Sequence, residues 1–231
     1  MTAQRLVSLQ NVSKTYPNGV KALENINLEI CAGETLTLLG PSGCGKSTIL
    51  RLIEGLAQPS GGEIFWHDQK IKNNLGAVFQ EATLMPWATV AENVALPLKL
   101  QGQSRHQSAA RVAEVLARVG LADFAGAYPA QLSGGMKMRA SIARALVTSP
   151  RVLLMDEPFA ALDDITRQRL NADLLQWWQA QGLAALFVTH SVAEAVYLSQ
   201  RVLVMAARPG RVVAEVAIDA PYPRPADWRH T

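Results

Sequence analysis

Hydrophobic and polar residues alternate near the start of the chain, which is the pattern of strands with one buried face. Residues 6–12 form one such run, and Ile26, Leu28 and Ile30 alternate with polar neighbours in a second. An Asn-Gly pair within residues 16–19 predicts the turn between the two runs. Further strands are predicted at residues 34–39, 63–66, 75–79, 152–155, 184–189, 201–205 and 212–218.

Apolar residues at helical spacing dominate the middle of the chain. Helices are predicted at residues 47–56, 109–119, 137–147 and 165–181. All of residues 82–147 reads as helical between strand-rich flanks, which predicts an inserted subdomain rather than a separate domain. Pro97 lacks a backbone N–H and should kink or end a helix. Near the end of the last helix, we expect one of Trp177 and Trp178 to be buried and the other partly exposed.

The composition is that of a globular chain, with 49% hydrophobic and 18% charged residues among 231. The net charge of +3 is too slight to argue for binding to nucleic acid. Only Cys31 and Cys44 occur, and neither belongs to a CxxC motif, which suits a reducing cytoplasm. No secretory signal is apparent, and no apolar run approaches the ~18 residues that span a bilayer. We therefore expect a soluble chain that can still lie on a membrane partner.

A glycine-rich loop joins the strand predicted at residues 34–39 to the helix that follows. Its sequence, GPSGCGKST, matches G-x-x-x-x-G-K-[ST], and the strand and helix on either side are the context that a phosphate site requires. The glycines let the backbone fold around a polyphosphate, and the helix N-terminus favours anions. Lys46 would supply charge to the β- and γ-phosphates, and Ser47 could ligate Mg²⁺. The predicted phosphate-binding residues are Gly40, Pro41, Ser42, Gly43, Cys44, Gly45, Lys46, Ser47 and Thr48.

Two carboxylates end a strand that reads as fully buried in a parallel sheet. Asp156 and Glu157 would lie at the C-terminal edge of the sheet, where open α/β sheets bind ligands. Adjacent side chains on a strand point to opposite faces, so one acid could face a metal and the other an attacking water. An acidic pair without a function is the alternative. Ser133 and the two glycines after it could cap a helix or form a second anion nest.

Taken together, these residues resemble the ATP-binding subunits of ABC transporters from about Leu6 to Ile218. The resemblance rests on six motifs in a fixed order: GPSGCGKST, Gln80 after Ala-Val-Phe, LSGGM, VLLMDEP, ALD and His190. It implies one ABC ATPase domain over residues 1–231, with an α/β P-loop NTPase (RecA-like) core, an N-terminal antiparallel β part and the inserted α-helical subdomain at about 82–147. The proline-containing tail, about 219–231, is expected to be extended and mobile.

The resemblance also implies a role for each site residue, with ATP as substrate and Mg²⁺ as its ion. Tyr16 would stack on adenine, and His190 would contact the γ-phosphate. Asp156 would help to hold Mg²⁺, together with Ser47. Gln80 would sense both Mg²⁺ and the attacking water, and Glu157 would polarise that water as general base.

Assembly is the second implication of the resemblance. Ser133, Gly134 and Gly135 would bind the γ-phosphate of ATP held by a second copy of the chain, with Asp163 at the interface of this ATP-dependent homodimer. The stretch from residue 77 to Trp87 is similar to importers of nitrate, sulfonates, taurine and pyrimidine precursors. The chain would then bind peripherally to membrane-spanning permease subunits at the cytoplasmic face of the inner membrane, and a solute-binding protein would act indirectly. The cargo would be a small anion, sulfonate or related solute, and no nucleic acid would be bound.

Several departures and alternatives remain open at this point. Met136 and Met138 stand where glutamine is commoner in the family, which puts local contacts in doubt. The segment between Trp66 and Leu75 is short for these importers. A soluble ABC ATPase acting on nucleic acid or the ribosome shares the nucleotide motifs, although such proteins usually have two cassettes or a long coiled-coil insertion. A P-loop kinase would have no use for LSGG, and the presence of Glu157 disfavours a cassette that only binds nucleotide.

Two further features have both a functional and an ordinary interpretation. Residues 85–87, Met-Pro-Trp, predict a surface loop, and by resemblance this surface receives a short helix of the membrane-spanning subunit. The alternative is that Trp87 is buried in the core of the chain. Cys44 lies beside a lysine and a helix N-terminus, both of which favour a reactive thiolate. The alternative is that its thiol merely fills the loop.

Overall fold

The computed structural model describes residues 4–222, 224 and 228, apart from the side chains of residues 179–181. Its strands are β1 (Arg5–Thr15), β2 (Lys21–Cys31), β3 (Thr35–Leu39), β4 (Gly61–Trp66), β5 (Leu75–Val78), β6 (Val152–Asp156), β7 (Ala184–Thr189), β8 (Arg201–Ala206) and β9 (Arg211–Ala217). Its helices are α1 (Lys46–Ile53), α2 (Gln69–Lys72), α3 (Val90–Leu100), α4 (Arg105–Arg118), α5 (Gly134–Leu146), α6 (Asp164–Gln181) and α7 (Val192–Leu198), with 3₁₀ turns at Ala122–Phe124 and Pro129–Gln131. In the part of the chain described, no helix is both long and apolar enough to cross a bilayer.

An antiparallel sheet in the order β2-β1-β4 forms the N-terminal part of the molecule. The predicted alternation is confirmed on β2, where Ile26, Leu28 and Ile30 are buried and their polar neighbours are more exposed. These side chains join the same apolar cluster as Leu36 of β3, so the small sheet packs on the larger one. Burial of one face, which fixes the strand register, thus also attaches this sheet to the core.

The second sheet has six strands in the order β5-β6-β7-β3-β8-β9, all parallel except the final pair. Strand β7 is buried along its whole length and β6 along its four apolar residues, which explains why both read as continuous apolar runs. Parallel strands bring their C-terminal ends to one edge. The segments that follow β3, β6 and β7 therefore meet there, since β7 lies between the other two strands.

The region of residues 82–147 contains α3, α4 and α5, joined by loops and the two 3₁₀ turns. Side chains cap the three helices at Thr89, Ser104 and Ser133, and the first two make complete capping boxes. The helices share an apolar core that includes Val94, Leu116 and other buried residues. The short segment between β4 and β5 holds α2.

One arginine ties α5 to the loop that follows β5. Arg144 donates to the carbonyl oxygens of Ala82 (2.9 Å) and Thr83 (2.8 Å), and to Thr83 Oγ1 (2.9 Å). Thr83 has a φ of 46°, an uncommon conformation for a β-branched residue. These three hydrogen bonds fix a strained backbone turn against α5.

Pro97 does not end its helix, because α3 continues to Leu100. A proline removes one hydrogen bond, here the bond that residue 97 would donate to the Asn93 carbonyl. The last turn still closes, since the amide of Gln101 donates to the Pro97 carbonyl at 3.1 Å. One lost bond near a helix end is thus tolerated.

The expectation that one of two adjacent tryptophans is partly exposed is wrong. Trp177 and Trp178 are 7% and 2% exposed. Helix α6 is covered by α5 on one side and α7 on another, so two neighbouring positions of the helix are buried at once. Arg139 of α5 lies 5.9 Å from the Trp177 ring and pairs with Asp173, which accounts for part of this cover.

The expectation of a mobile tail is wrong for the tail residues that the structure describes. The hydroxyl of Tyr222 donates to the Leu198 carbonyl (3.2 Å) and lies 2.9 Å from Thr35 Oγ1. Arg224 is buried and donates to the carbonyls of Tyr197 (3.1 Å) and Ser199 (2.8 Å). The chain beyond β9 therefore bonds to the end of α7. Residues 223, 225–227 and 229–231 lie outside the described residues.

Removing the Tyr222 hydroxyl tests this attachment. We expect Tyr222→Phe to lower the free energy of unfolding by about 1 kcal/mol, because the buried Thr35 hydroxyl loses a partner. Denaturant titration measures the change, and Tyr128→Phe, at an exposed tyrosine, is the matched control. Equal stability of the two variants would contradict the attachment.

Candidate active site

The glycine-rich loop leaves β3 and enters α1 with the geometry of a phosphate cradle. Gly45 is the N-cap of α1 and has a φ of 94°, in the left-handed region that favours glycine. A Cβ atom at Gly45 would also lie 2.5 Å from Leu23 Cδ2 and 3.0 Å from the Ala22 carbonyl oxygen. Only glycine fits here, and the N-terminal amides of α1 remain without intrahelical partners.

Lys46 is held inside the loop rather than in solvent. Its side chain is 4% exposed, and Nζ donates to the carbonyls of Gly40 (2.8 Å) and Pro41 (3.1 Å). The same Nζ lies 3.5 Å from Glu157 Oε1. The ammonium group is thus already desolvated at the place where phosphate charge would be bound, so it needs little rearrangement to act.

Ser47 and Asp156 converge as the sequence predicts. Ser47 Oγ donates to Asp156 Oδ1 at 3.1 Å. Burial raises the pKa of the Asp156 carboxyl, the hydrogen bond from Ser47 opposes that rise, and the nearby charge of Glu157 adds to it. A cation in this position would relieve the electrostatic cost of the buried acid.

The donor set fits Mg²⁺. A hydroxyl and a carboxylate are hard oxygen ligands, and Gln80, which follows β5 and carries an amide oxygen, lines one cavity together with Ser47 and Asp156. In the described residues, no three His, Cys, Asp or Glu side chains form a metal cluster. Mg²⁺ at nucleotide sites is usually bound through one or two carboxylates, substrate phosphates and water.

Glu157 lies just beyond β6, and its backbone departs from the strand. Its φ is 43°, and its amide donates to the Val188 carbonyl of β7 at 3.0 Å. Strand alternation is therefore not what separates Glu157 from Asp156; a left-handed backbone, fixed by β7, turns the side chain. His190 Nδ1 is hydrogen-bonded to Glu157 Oε2 at 2.9 Å. The two carboxylate oxygens of Glu157 thus face Lys46 and His190.

Tyr16 lies beside the first turn of α1, next to Thr48, and is not itself among the residues that line the cavity. Its hydroxyl is 3.4 Å from Thr48 Oγ1, and its amide donates to the Val20 carbonyl at 2.9 Å. The cavity itself measures about 500 Å³, a size that suits a nucleotide. Its lining residues are Val20, Lys21, Ala22, Ser42, Gly43, Gly45, Lys46, Ser47, Thr48, Gln80, Asp156, Glu157 and Arg208.

Two charged cavity residues were not predicted from the sequence, Lys21 and Arg208. Each comes from a segment far from the phosphate loop in the chain, at the start of β2 and in the β8–β9 hairpin. No spacing in the sequence links them to the loop. Only the folded arrangement identifies them.

The LSGG residues do not line this cavity. Ser133 caps α5 and accepts from the Met136 amide at 3.3 Å, and Ser133 and Gly134 are exposed. A Cβ atom at Gly135 would lie 2.7 Å from Thr166 Cγ2, so α5 begins directly against α6. Asp163 accepts from the Thr166 amide at 2.9 Å, a bond that lowers the pKa of Asp163. The LSGG segment and Asp163 thus lie together, away from the phosphate loop.

Cys44 is completely buried, although it belongs to the loop. Its Sγ is 3.9 Å from Lys46 Nζ and packs in the apolar cluster that contains Leu23 and Ile49. A buried thiol of this kind is inert towards reagents in solvent. The burial favours the interpretation of Cys44 as a residue that fills the loop.

A family model described as ABC transporter matches residues 23–160. The chain belongs to the ABC transporter family. Among its curated relatives is a nitrate import ATP-binding protein of Synechocystis sp., 47% identical over 94% of this chain and 82% of that protein. A taurine import ATP-binding protein of Rhizobium johnstonii is 45% identical (88% and 79%), and an aliphatic sulfonates import ATP-binding protein of Bacillus cereus is 43% identical (94% and 88%).

Solved structures support the same family. The dimeric structure of an ATP-binding cassette in a post-hydrolysis state, bound to ADP and Pi, is 35% identical and superposes with a TM-score of 0.81. The superposition covers 94% of this chain and 100% of the chain in that structure. The predicted α/β fold of a P-loop NTPase is confirmed, and so is the predicted class of enzyme: this ABC cassette is an ATPase.

The burial of Cys44 leads to a prediction about labelling. In a Cys31→Ala variant, we expect Cys44 to react with a maleimide far more slowly in the folded than in the unfolded chain, with or without Mg-ATP. Mass spectrometry of timed samples measures the reaction. Fast labelling of the folded chain that Mg-ATP suppresses would instead support the reactive thiolate.

Proposed function

We propose that the chain is the ATP-hydrolysing subunit of an ABC importer and that residues 40–48, Gln80, Asp156, Glu157 and His190 form its hydrolytic site. The observation that carries the proposal is the position of the Glu157 carboxylate, with one oxygen 3.5 Å from Lys46 Nζ and the other 2.9 Å from His190 Nδ1. A base held from both sides beside a phosphate cradle is suited to direct a water at a terminal phosphate.

In the proposed reaction, Glu157 accepts a proton from a water molecule as the water oxygen bonds to the γ-phosphorus. The bond from the γ-phosphorus to its bridging oxygen breaks, and ADP and phosphate leave. Lys46 neutralises charge on the β- and γ-phosphates, the α1 amides donate to phosphate oxygens, and His190 contacts the γ-phosphate. Positioning and charge neutralisation supply most of the catalysis in such phosphoryl transfers.

Ser47 and Asp156 would hold Mg²⁺, and Gln80 would complete the protein's share of its ligands. Bound there, the ion would neutralise charge on the β- and γ-phosphates. Asp156 is suited to this task because its half-buried carboxyl has a single described hydrogen-bond partner, Ser47, and keeps an oxygen for a cation.

The exposed LSGG segment supports a role at a dimer interface. Ser133, Gly134 and Gly135 begin α5 with free amides and a helix dipole that attracts anions, yet the phosphate loop of the same chain lies elsewhere. A second copy of the chain, with its own bound ATP, would supply the missing phosphate, and Asp163 would lie at the contact. The dimeric relative bound to ADP and Pi is consistent with this assembly.

The surface around Trp87 supports attachment to a permease. Trp87 is 77% exposed, so it is not a core residue of the isolated chain. The loop that holds Trp87 also contributes Thr83 to a groove of about 450 Å³, whose lining includes the apolar residues Phe79, Leu96 and Leu100. A large exposed aromatic beside an apolar groove is typical of an interface. The chain would therefore bind the cytoplasmic face of a membrane protein, and the loop after Gln80 would couple nucleotide state to transport.

The relatives narrow the cargo class. Three of them are named for import of nitrate, taurine and aliphatic sulfonates, which favours a small anion or sulfonate delivered by a solute-binding protein. The same names favour an importer over a soluble ATPase that acts on nucleic acid or the ribosome.

Replacing the proposed base tests the chemistry and the assembly together. We expect Glu157→Gln to lower ATP turnover by about 10²–10⁴-fold, the usual contribution of a general base. ATP binding should survive, because the amide is nearly isosteric, and the trapped protein should form a dimer with two nucleotides in light scattering.

Lys46→Ala should instead weaken ATP binding itself by about 10–100-fold.

Glu63→Gln, at an exposed carboxylate on β4, is the control and should behave like the wild type. Near-normal hydrolysis by Glu157→Gln would remove Glu157 from the mechanism. A monomer at saturating ATP and high protein concentration would count strongly against the homodimer.

Truncating Trp87 tests the permease contact. Because the side chain is exposed, Trp87→Ala should leave the stability and ATPase activity of the isolated subunit unchanged while weakening complex formation and abolishing transport. Co-purification with the permease and uptake into vesicles measure these effects. Leu56→Ala, at another exposed apolar residue, should leave both intact. Normal transport by the assembled Trp87→Ala complex would disprove the coupling role.

A further inference from the structure

We propose that Arg208 is a nucleotide-binding residue, whose guanidinium contacts the ribose and α-phosphate part of the bound nucleotide. The inference rests on the proposed function, because it takes residues 40–48 as the site of the β- and γ-phosphates. It adds a residue from the β8–β9 hairpin to a site otherwise formed by the start of β2 and the loops after β3, β5 and β6.

Arg208 lines the same cavity as the phosphate loop. The hairpin that carries it bonds to Ala22 of β2 through Gly210, whereas Asp156 and Glu157 contact Ser47 and Lys46 at the start of α1. The Val20 carbonyl accepts the amide of Tyr16, the residue proposed to stack on adenine. A nucleotide with its terminal phosphates on the loop and its base near Tyr16 would therefore have its ribose and α-phosphate close to Arg208.

The hairpin that carries Arg208 is fixed to the site. The Gly210 amide donates to the Ala22 carbonyl at 3.0 Å, and the Glu24 amide donates to the Gly210 carbonyl at 2.9 Å. Gly210 also abuts the Cys44 carbonyl of the phosphate loop so closely that a Cβ atom would collide with it. Arg208, two residues earlier, is thus anchored to both β2 and the loop, and its approach to the cavity does not depend on a mobile hairpin.

Arg208 also carries an available charge. Of the other cations in the lining, Lys21 pairs with Glu24 and Lys46 with Glu157. Arg208 is exposed and has no hydrogen-bond or ion-pair partner within residues 4–222, 224 and 228. Its φ of 60° is uncommon for a residue with a side chain and carries a conformational cost. A fork of N–H donors without a partner, held at a cavity for an anion, is suited to phosphate and hydroxyl oxygens.

The test compares nucleotide affinities of the full chain at a protein concentration at which light scattering shows a monomer. We expect Arg208→Ala to raise the Kd for ADP and for a non-hydrolysable ATP analogue by the same factor, about five- to tenfold, as suits one exposed charged contact. Arg208→Lys should give a smaller loss, because it keeps the charge but not the fork. Arg211→Ala removes the same charge from the same hairpin at an exposed residue outside the cavity lining, and should bind like the wild type.

The outcomes separate this inference from the proposed function. If Arg208→Ala binds both nucleotides like the wild type while Lys46→Ala has lost affinity, the phosphate site stands and the role of Arg208 is overturned. A loss confined to the ATP analogue would also overturn it, because the contact would then be to the γ-phosphate. An equal loss of affinity in Arg211→Ala would overturn it too, because the effect would then come from the positive charge of the hairpin and not from a contact of Arg208. Wild-type affinity in Lys46→Ala would overturn the phosphate site itself, and the inference with it.

Discussion

The contact on which the candidate site depends is the Glu157 carboxylate between Lys46 and His190. These residues follow three different strands, β6, β3 and β7, and they meet because β7 lies between the other two in a parallel sheet. The positive φ of Glu157 turns its side chain out of line with β6, and the bond from its amide to Val188 holds that turn. The position of the Glu157 carboxylate therefore depends on residues that follow three different strands, and no single segment of the chain determines it.

Much of the fold and of the candidate site could be predicted, because local sequence controls local backbone. The phosphate loop needs glycine at a left-handed position, a lysine at the start of the helix and a strand before it, and all three can be read from nine residues and the strand that precedes them. The buried strands β6 and β7 are apolar without interruption because both of their faces are covered. Ser133 is recognisable as an N-cap because its hydroxyl can accept from an amide three residues on.

The predictions failed where distant parts of the chain decide the outcome. Trp177 and Trp178 are both buried because their helix packs against both α5 and α7. The sequence of α6 alone does not show which other helices will cover it. The tail is held by carbonyls at the end of α7, which a count of prolines does not reveal. Lys21 and Arg208 reach the cavity only through tertiary structure. Strand alternation, finally, predicted the right separation of Asp156 and Glu157 for the wrong reason.

The three hydrogen bonds of Arg144 have a mechanical consequence. They bind the C-terminal half of α5 to residues 82 and 83, which lie between Gln80 and Trp87, while the N-terminus of the same helix carries the exposed LSGG segment. A helix is stiff along its axis, and these hydrogen bonds restrain movement of α5 relative to residues 82 and 83. A displacement of the N-terminal end of α5 is therefore transmitted to the loop that is bonded near its C-terminal end.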